Sequence, residues 1–275
     1  MKNLSSDHRI IQQDTCTVVG AKRIVFLRHG QTDFNVQRRF QGIVNQPLNE
    51  VGCQQAQTAS ALLAGWLALR QKQRNFTETD EGNPAVRIVC SPLLRAAQTA
   101  QIISGVFAEQ GLLEGDVLED PAFIERSYGV FEGQTLEEAM SKYPEYVAQW
   151  RETGESIEAG VEASDRVGQR MMQAALSYAR GVADGGTLIV VSHGSAIVRA
   201  LIVALGLSPL EFDGLRGLEN CHWSEIVLTG GGGSGASGGL SWRLGVHGVG
   251  QTVMGAYTID LVGGGLFVDG LERVG

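Results

Sequence analysis

Long apolar runs are missing from this 275-residue sequence: those present are of strand length or are broken by a charge, as Arg199 breaks the stretch from Ala196 to Leu205. A bilayer crossing needs about 20 consecutive apolar residues, so no membrane-spanning helix is expected. The stretch from Met1 to Asp7 lacks the apolar core of a signal peptide, and a soluble, non-secreted protein is expected. Cysteine is scarce. Cys16, Cys53, Cys90 and Cys221 are scattered without a C-x-x-C pair, which indicates neither a zinc site nor a disulfide framework and fits reduced thiols in a cytoplasm. A basic surplus is also missing: 22 Lys and Arg stand against 30 Asp and Glu, for a net charge of -8. A nucleic-acid or anionic-membrane partner would need the opposite balance, so neither is expected. No Gly-Lys-Ser/Thr follows the glycine-rich run Gly230–Gly239, which excludes a P-loop there. No Gly-x-Gly-x-x-Gly follows the first strand, which excludes the usual dinucleotide site.

What is present is an alternation of buried-strand and helix patterns with 43% hydrophobic residues, enough for one sizeable core. The expected fold class is α/β: a doubly wound, mostly parallel sheet flanked by helices, with a helical insertion over the site and a C-terminal β-hairpin. Three apolar runs end in chemistry-bearing residues. Ile24–Leu27 leads into Arg28-His29-Gly30, Val86–Val89 into Cys90-Ser91-Pro92 with Arg95 close behind, and Thr187–Val191 into Ser192-His193-Gly194. Carboxyl ends of strands are where open α/β sheets form ligand sites, so two histidines and two arginines are offered to one sheet edge.

Asn49 is read as the cap of a helix carrying Ala56, Ala59, Leu62, Leu63, Trp66 and Leu67 at helical spacing, and Ser91 with Pro92 as the start of a helix to Glu109. Helices are also expected over 136–140, 146–150, 164–183 and 196–205, with strands near Val117, over 224–229 and over 240–246. Residues 71–84 read as a polar connection, 1–20 as a loose leader, 21–247 as the domain with its insertion at 133–165 and a glycine-rich hairpin linker at 230–239, and 248–275 as a glycine-rich tail. Arg95 falls in the first turn of its helix, where a cation opposes the macrodipole. A bound phosphate at that helix end would reverse the sign.

Five ordered motifs carry a resemblance over residues 21 to about 228: Leu27–Asn35, Arg39-Phe40-Gln41-Gly42, Ser91–Ala100, Glu125–Gly133 and Ser192-His193-Gly194. Together they resemble the histidine phosphatase superfamily, the phosphoglycerate mutase-like group. The resemblance implies a histidine acid phosphatase-type phosphomonoesterase. A neutral imidazole can attack phosphorus and form a phosphohistidine, splitting one displacement into two. His29 would be the nucleophile, and Arg28, Arg95 and His193 would balance the charge of the phosphoryl oxygens. Glu125 would protonate the leaving oxygen and then activate water. Asn35 and Gln41 would add amide donors to the substrate pocket, Gly42 would leave room beside them, and Gly30 and Gly194 would allow close backbone approach. Arg38 and Arg39 remain open between site and surface, while His8, His222 and His247 are read as structural or surface residues. No cofactor and no metal are expected, because the two key histidines lack ligand spacing and arginines stand where a metalloenzyme would use a cation.

Phe131-Glu132-Gly133 is similar to the phosphatase branch, and no Arg-Arg pair of the mutase kind occurs between 126 and 165. Glu125-Arg126 with Tyr128-Gly129 is similar to the mutases, so a cofactor-dependent mutase is the alternative, and a non-catalytic phospho-ligand-binding protein a third. The first motif, Asn220–Ser224 and Trp242-Arg243-Leu244 resemble the glucosyl-3-phosphoglycerate phosphatase branch. Gly160-Val161-Glu162-Ala163 departs from that branch's Gly-Gly-Glu-Ser. The expected partner is a small phosphorylated metabolite of phosphoglycerate or sugar phosphate type, and a homodimer is left open.

Overall fold

Strand β1 (Arg23–Arg28) alternates its side chains between two buried surfaces, Ile24 and Phe26 toward one and Val25 and Leu27 toward the other. A strand so buried on both faces must lie inside a sheet covered twice. The computed structural model, which describes residues 20–74, 85–229 and 241–251, has this arrangement. The other strands are β2 (Val86–Cys90), β3 (Leu118–Glu119), β4 (Thr187–Ser192), β5 (Trp223–Thr229) and β6 (Ser241–Val249). They form one sheet in the order β3-β2-β4-β1-β5-β6, parallel from β3 to β1, with β5 antiparallel to β1 and β6 antiparallel to β5.

The helices are α1 (Asp33–Val36), α2 (Glu50–Arg74), α3 (Leu94–Glu109), α4 (Leu136–Lys142), α5 (Pro144–Thr153), α6 (Ser164–Arg180) and α7 (Gly194–Ala204). On one face, Val167, Met171 and Ala175 of α6 and Ile197 and Leu201 of α7 pack on Ile24, Phe26, Leu188 and Val190. On the other, Leu63 and Leu67 of α2 and Ala100, Ile103 and Phe107 of α3 pack on Val25, Leu27, Ile189 and Val191. The doubly wound expectation therefore holds, with the C-terminal strands forming an antiparallel edge. A third, smaller core gathers Phe131, Ala139, Val147, Ala159 and Val161 against Phe40, Tyr128 and Trp150, and it holds the helical insertion together.

Register decides where the site forms. Arg28 lies opposite Ser192, and Cys90 opposite Val191, so β1, β4 and β2 end level with one another. Each strand then delivers its next residues to the same edge. Asn49 caps α2 as expected, its Oδ1 accepting from Gly52 N–H at 2.9 Å.

Several boundaries differ from the sequence reading, among them the end of β6, which runs on to Val249, and three helix ends. Helix α3 starts at Leu94 with Leu93 as an uncapped N-cap, because the Ser91 hydroxyl is drawn to His193 instead. Helix α7 starts two residues early, at Gly194, since extended His193 turns the chain directly off β4. Helix α6 stops at Arg180, three residues short of Ala183, where Gly181 ends it. The expected leader, the connection from 75 to 84, the glycine-rich linker and the tail from 252 lie outside the described residues. Among the described residues no helix is long and apolar enough to cross a membrane.

Candidate active site

His29 follows β1 directly and is buried, 2% exposed. Its Nδ1 lies 2.7 Å from the Gly30 carbonyl oxygen. A carbonyl can only accept, so Nδ1 carries the proton and Nε2 keeps its lone pair. Burial, then the charges of Arg95 and Arg28, hold the imidazole well below its ordinary pKa of 6.5, against a smaller opposing effect of the Gly30 hydrogen bond. A neutral imidazole with a free Nε2 results. The His193 ring lies 5.1 Å away, centroid to centroid.

His193, at the end of β4, is fixed by the same reasoning in the other tautomer. Arg95 Nε donates to His193 Nδ1 at 3.2 Å, and His193 Nε2 lies 2.9 Å from Ser91 Oγ. A guanidinium nitrogen can only donate, so Nδ1 accepts and the Nε2 proton goes to Ser91. Burial first, then Arg95, hold this imidazole neutral as well. Ser91 also accepts from Leu93 N–H at 3.2 Å. It orients a histidine rather than capping a helix.

Arg95 is fully buried. Besides His193 it donates to the carbonyl oxygens of Val44 and Gly42, each at 2.7 Å, which ties the 42–44 loop to the start of α3. Burial pushes its pKa down to about 10, with Glu125 opposing and Arg28 adding to the shift. Arg28 donates through Nη1 to Leu218 O at 2.5 Å, while its buried Nε has no partner. That Nε faces Gly194, where an added Cβ would sit 3.4 Å from it. One fully buried guanidinium and one half-buried one with a buried Nε, beside two neutral imidazoles, leave a positive site with a donor unspent, which suits an anion.

Glu125 supplies the strongest opposing charge at both arginines. Its Oε1 accepts from Arg126 N–H at 2.8 Å and Ala196 N–H at 2.9 Å, and its Oε2 from Ser195 N–H at 3.2 Å. The carboxylate thus occupies the first turn of α7, immediately beside His193 and Gly194, where the helix dipole favours negative charge. Two further acids of the neighbouring segments are committed to other partners. Glu132 accepts from Tyr128 N–H, Ser127 Oγ and Ile43 N–H, and Glu162 is gripped by Arg170 through both oxygens.

Asn35 and Gln41 both meet Thr32, whose hydroxyl lies 3.1 Å from Asn35 Oδ1 and 3.0 Å from Gln41 Oε1. The hydroxyl has one proton to give; Asn35 Oδ1 already accepts from Thr32 N–H at 3.0 Å, which leaves that proton for Gln41 Oε1. Gly42 sits at φ +49°, and a Cβ there would collide with the Glu132 carboxylate. Gly30 needs correction. Its N–H is spent on Thr99 Oγ1 at 3.1 Å and its carbonyl on His29, and the close approach that forbids a Cβ is to the Gly52 carbonyl of α2. Gly30 holds the nucleophile candidate and leaves the ligand side to others. Arg39 forms a bidentate pair with Glu138 on α4, a structural tie between loop and insertion.

Two arginines escaped the sequence reading. Arg170 donates to the carbonyls of Ala122, Ile124 and Glu125 as well as to Glu162, so it frames the Glu125 segment. Arg126, 1% exposed, donates to Glu162 O, Gly154 O and the Glu155 carboxylate. A usable signal was the position of Arg170 beside Met171 on the apolar stripe of α6. Among the described residues no group of three His, Cys, Asp or Glu side chains is placed to hold a metal.

The profile of the histidine phosphatase superfamily (branch 1) matches residues 24–237. A bifunctional protein of Mycobacterium tuberculosis is 35% identical over 183 residues, which are 66% of this chain and 44% of that protein, so the chain spans less than half of that relative. A probable phosphoglycerate mutase GpmB of Yersinia enterocolitica is 32% identical over 210 residues, covering 74% of this chain and 84% of the relative. The structure of a mycobacterial glucosyl-3-phosphoglycerate phosphatase complexed with VO3 superposes with a TM-score of 0.63 at 28% identity, over 82% of this chain and 98% of that one. With the profile spanning most of the domain and both strand-end histidines inside it, the chain belongs to the histidine phosphatase superfamily, branch 1.

Proposed function

We propose that this chain hydrolyses the phosphomonoester of a small metabolite through a phosphohistidine on His29. The observation that carries the reading is the His29 tautomer: Nδ1–H bonded to Gly30 O leaves a neutral Nε2 lone pair in the field of Arg95 and Arg28. Nε2 attacks phosphorus, the bond from phosphorus to the ester oxygen breaks, and Glu125 in its protonated form gives its proton to that oxygen. Water then attacks the phosphohistidine, Glu125 takes the water's proton, the P–N bond breaks, and inorganic phosphate leaves with His29 neutral again. Arg28 and Arg95 hold the equatorial oxygens, with Arg28 Nε the donor already free for them, and His193 joins them when its Nε2–H turns from Ser91 Oγ to the bound phosphoryl group. Asn35, Gln41 and Gly194 complete the phosphoryl pocket, and the 133–165 insertion limits access to it.

The phosphatase neighbour supports an ester of phosphoglycerate or sugar phosphate type. The free thiols of Cys53, Cys90 and Cys221 support a reducing cytoplasm. We read the reaction as metal-independent, since two arginines occupy the place of a cation. The test is a panel of phosphate monoesters assayed with and without EDTA, combined with trapping of labelled enzyme in an alkaline quench, where a P–N bond survives, and mass spectrometry. Phosphate should be released unchanged by EDTA, with label on His29. Label on another residue refutes the nucleophile, and faster isomerisation of 3-phosphoglycerate primed by 2,3-bisphosphoglycerate would make the chain a mutase.

A further inference from the structure

The loop Asn220-Cys221-His222, between α7 and β5, closes around the end of β1. Arg28 N–H donates to His222 O at 3.0 Å, and Cys221 N–H lies 3.1 Å from Arg28 O and 3.2 Å from His29 O. Cys221 takes a left-handed φ of +56° to do so, a conformation that costs a residue bearing a Cβ about 1 kcal/mol or more. Asn220 Nδ2 lies 3.0 Å from His29 O and 3.2 Å from Asn35 Oδ1. The loop thus touches the backbone of the proposed nucleophile and the side chain of a proposed phosphoryl ligand with a single amide.

The orientation of both amides follows from donor and acceptor chemistry. His29 O can only accept, so the Asn220 atom facing it is the NH2 group. That NH2 faces Asn35 as well, so Asn35 must turn its oxygen to it. Thr32 N–H, 3.0 Å from the same Oδ1, demands the same orientation. The Asn35 NH2 is left without a protein acceptor among the described residues, as a donor available to an anion.

We propose that Asn220 is a positioning residue: it acts through Asn35, fixing which end of that amide meets the phosphoryl group. This rests on the proposed function only in taking the anion to be a phosphoryl group. Asn220→Ala removes one of two constraints on Asn35, while Asn220→Asp sets a carboxylate against two oxygens and pulls the Asn35 NH2 away from the pocket. The aspartate variant is therefore the more damaging, unlike the pattern for a simple packing role.

The experiment is a double-mutant cycle with Asn35→Ala, read as the Kd of inorganic phosphate and of orthovanadate by calorimetry and as KM and kcat on the best ester. Asn220→Asp should weaken phosphate binding about tenfold and Asn220→Ala about threefold in the presence of Asn35, with KM rising more than kcat falls. In the Asn35→Ala background both effects should shrink below about twofold. Undiminished effects in that background, or no effect of Asn220→Asp with Asn35 present, overturn the proposal. Should the aspartate variant not fold, the alanine variant is read through the same cycle and decides alone. Calorimetry keeps the two ideas apart: a protein that binds phosphate through this cycle yet hydrolyses nothing refutes the proposed function and leaves the role of Asn220 standing.

Discussion

The two strand-end histidines make acid sensitivity of the fold a quantitative consequence of the site. His29 and His193 are both neutral in the folded state, held well below 6.5 mainly by burial and then by Arg95. Unfolded, each regains an ordinary pKa and takes up a proton as pH falls through 6.5. A depressed folded value means that the unfolded chain binds more protons in that window, so stability is present above 6.5 and is lost below it. At about pH 5.5, each histidine then favours unfolding by on the order of 1 kcal/mol relative to pH 8, and the pair by roughly twice as much. Urea unfolding at the two pH values measures the loss. Phosphate-free buffer is essential, because an anion bound to the folded state alone would add its own stabilisation. His29→Gln and His193→Gln should each remove about half of the pH-dependent loss, and the double variant nearly all of it. If the double variant loses as much stability between the two pH values as the parent chain does, the histidines are not held neutral and the nucleophile argument falls with them.

Glu125→Gln keeps the Oε1 contacts to Arg126 and Ala196 N–H but sets an NH2 against Ser195 N–H, so it should cost about 1 kcal/mol of stability. Its activity loss should be large on alkyl phosphates and small on p-nitrophenyl phosphate, whose leaving group needs little protonation; equal losses on both would make the residue structural. Gly30→Ala drives a Cβ into the Gly52 carbonyl and should cost about 3 kcal/mol, a Tm fall of roughly 6–12 °C by calorimetry. Gly65→Ala, on the same helix α2 but with open space around it, should instead stabilise by about 0.5–1 kcal/mol, and a loss there comparable to that of Gly30→Ala would void the steric argument.

The strand ends were legible because their signals are local: a short, mostly apolar stretch followed within a few residues by a histidine or arginine recurs at three places, and the parallel register brings them level. What the sequence hid depends on partners far along the chain. Ser91 stands before a proline and reads as a cap, yet its hydroxyl meets His193, 102 residues away, and that bond outweighs the local one. Arg126 stood in the sequence only as part of a motif and Arg170 was not singled out, because isolated arginines are usually surface cations. Their burial follows from carbonyls in turns whose positions no periodicity announces. Gly30 was legible as a close approach but not as an approach to Gly52, since a missing side chain says nothing about what fills the space.

Arg126 and Arg170 have a consequence for how such a protein can diversify. They tie the ends of the insertion, Arg126 at Gly154, Glu155 and Glu162 and Arg170 at Glu162 and the carbonyls beside Glu125. The stretch between Gly133 and Gly154 packs Ala139, Val147 and Trp150 on Phe131, Phe40 and Tyr128, so with these positions kept its outward residues can be exchanged without moving the carboxylate at the start of α7. Selectivity and chemistry are thereby mechanically separable. A graft of these outward residues from a relative with different substrates should transfer preference among esters while the rate on a small generic ester stays nearly constant.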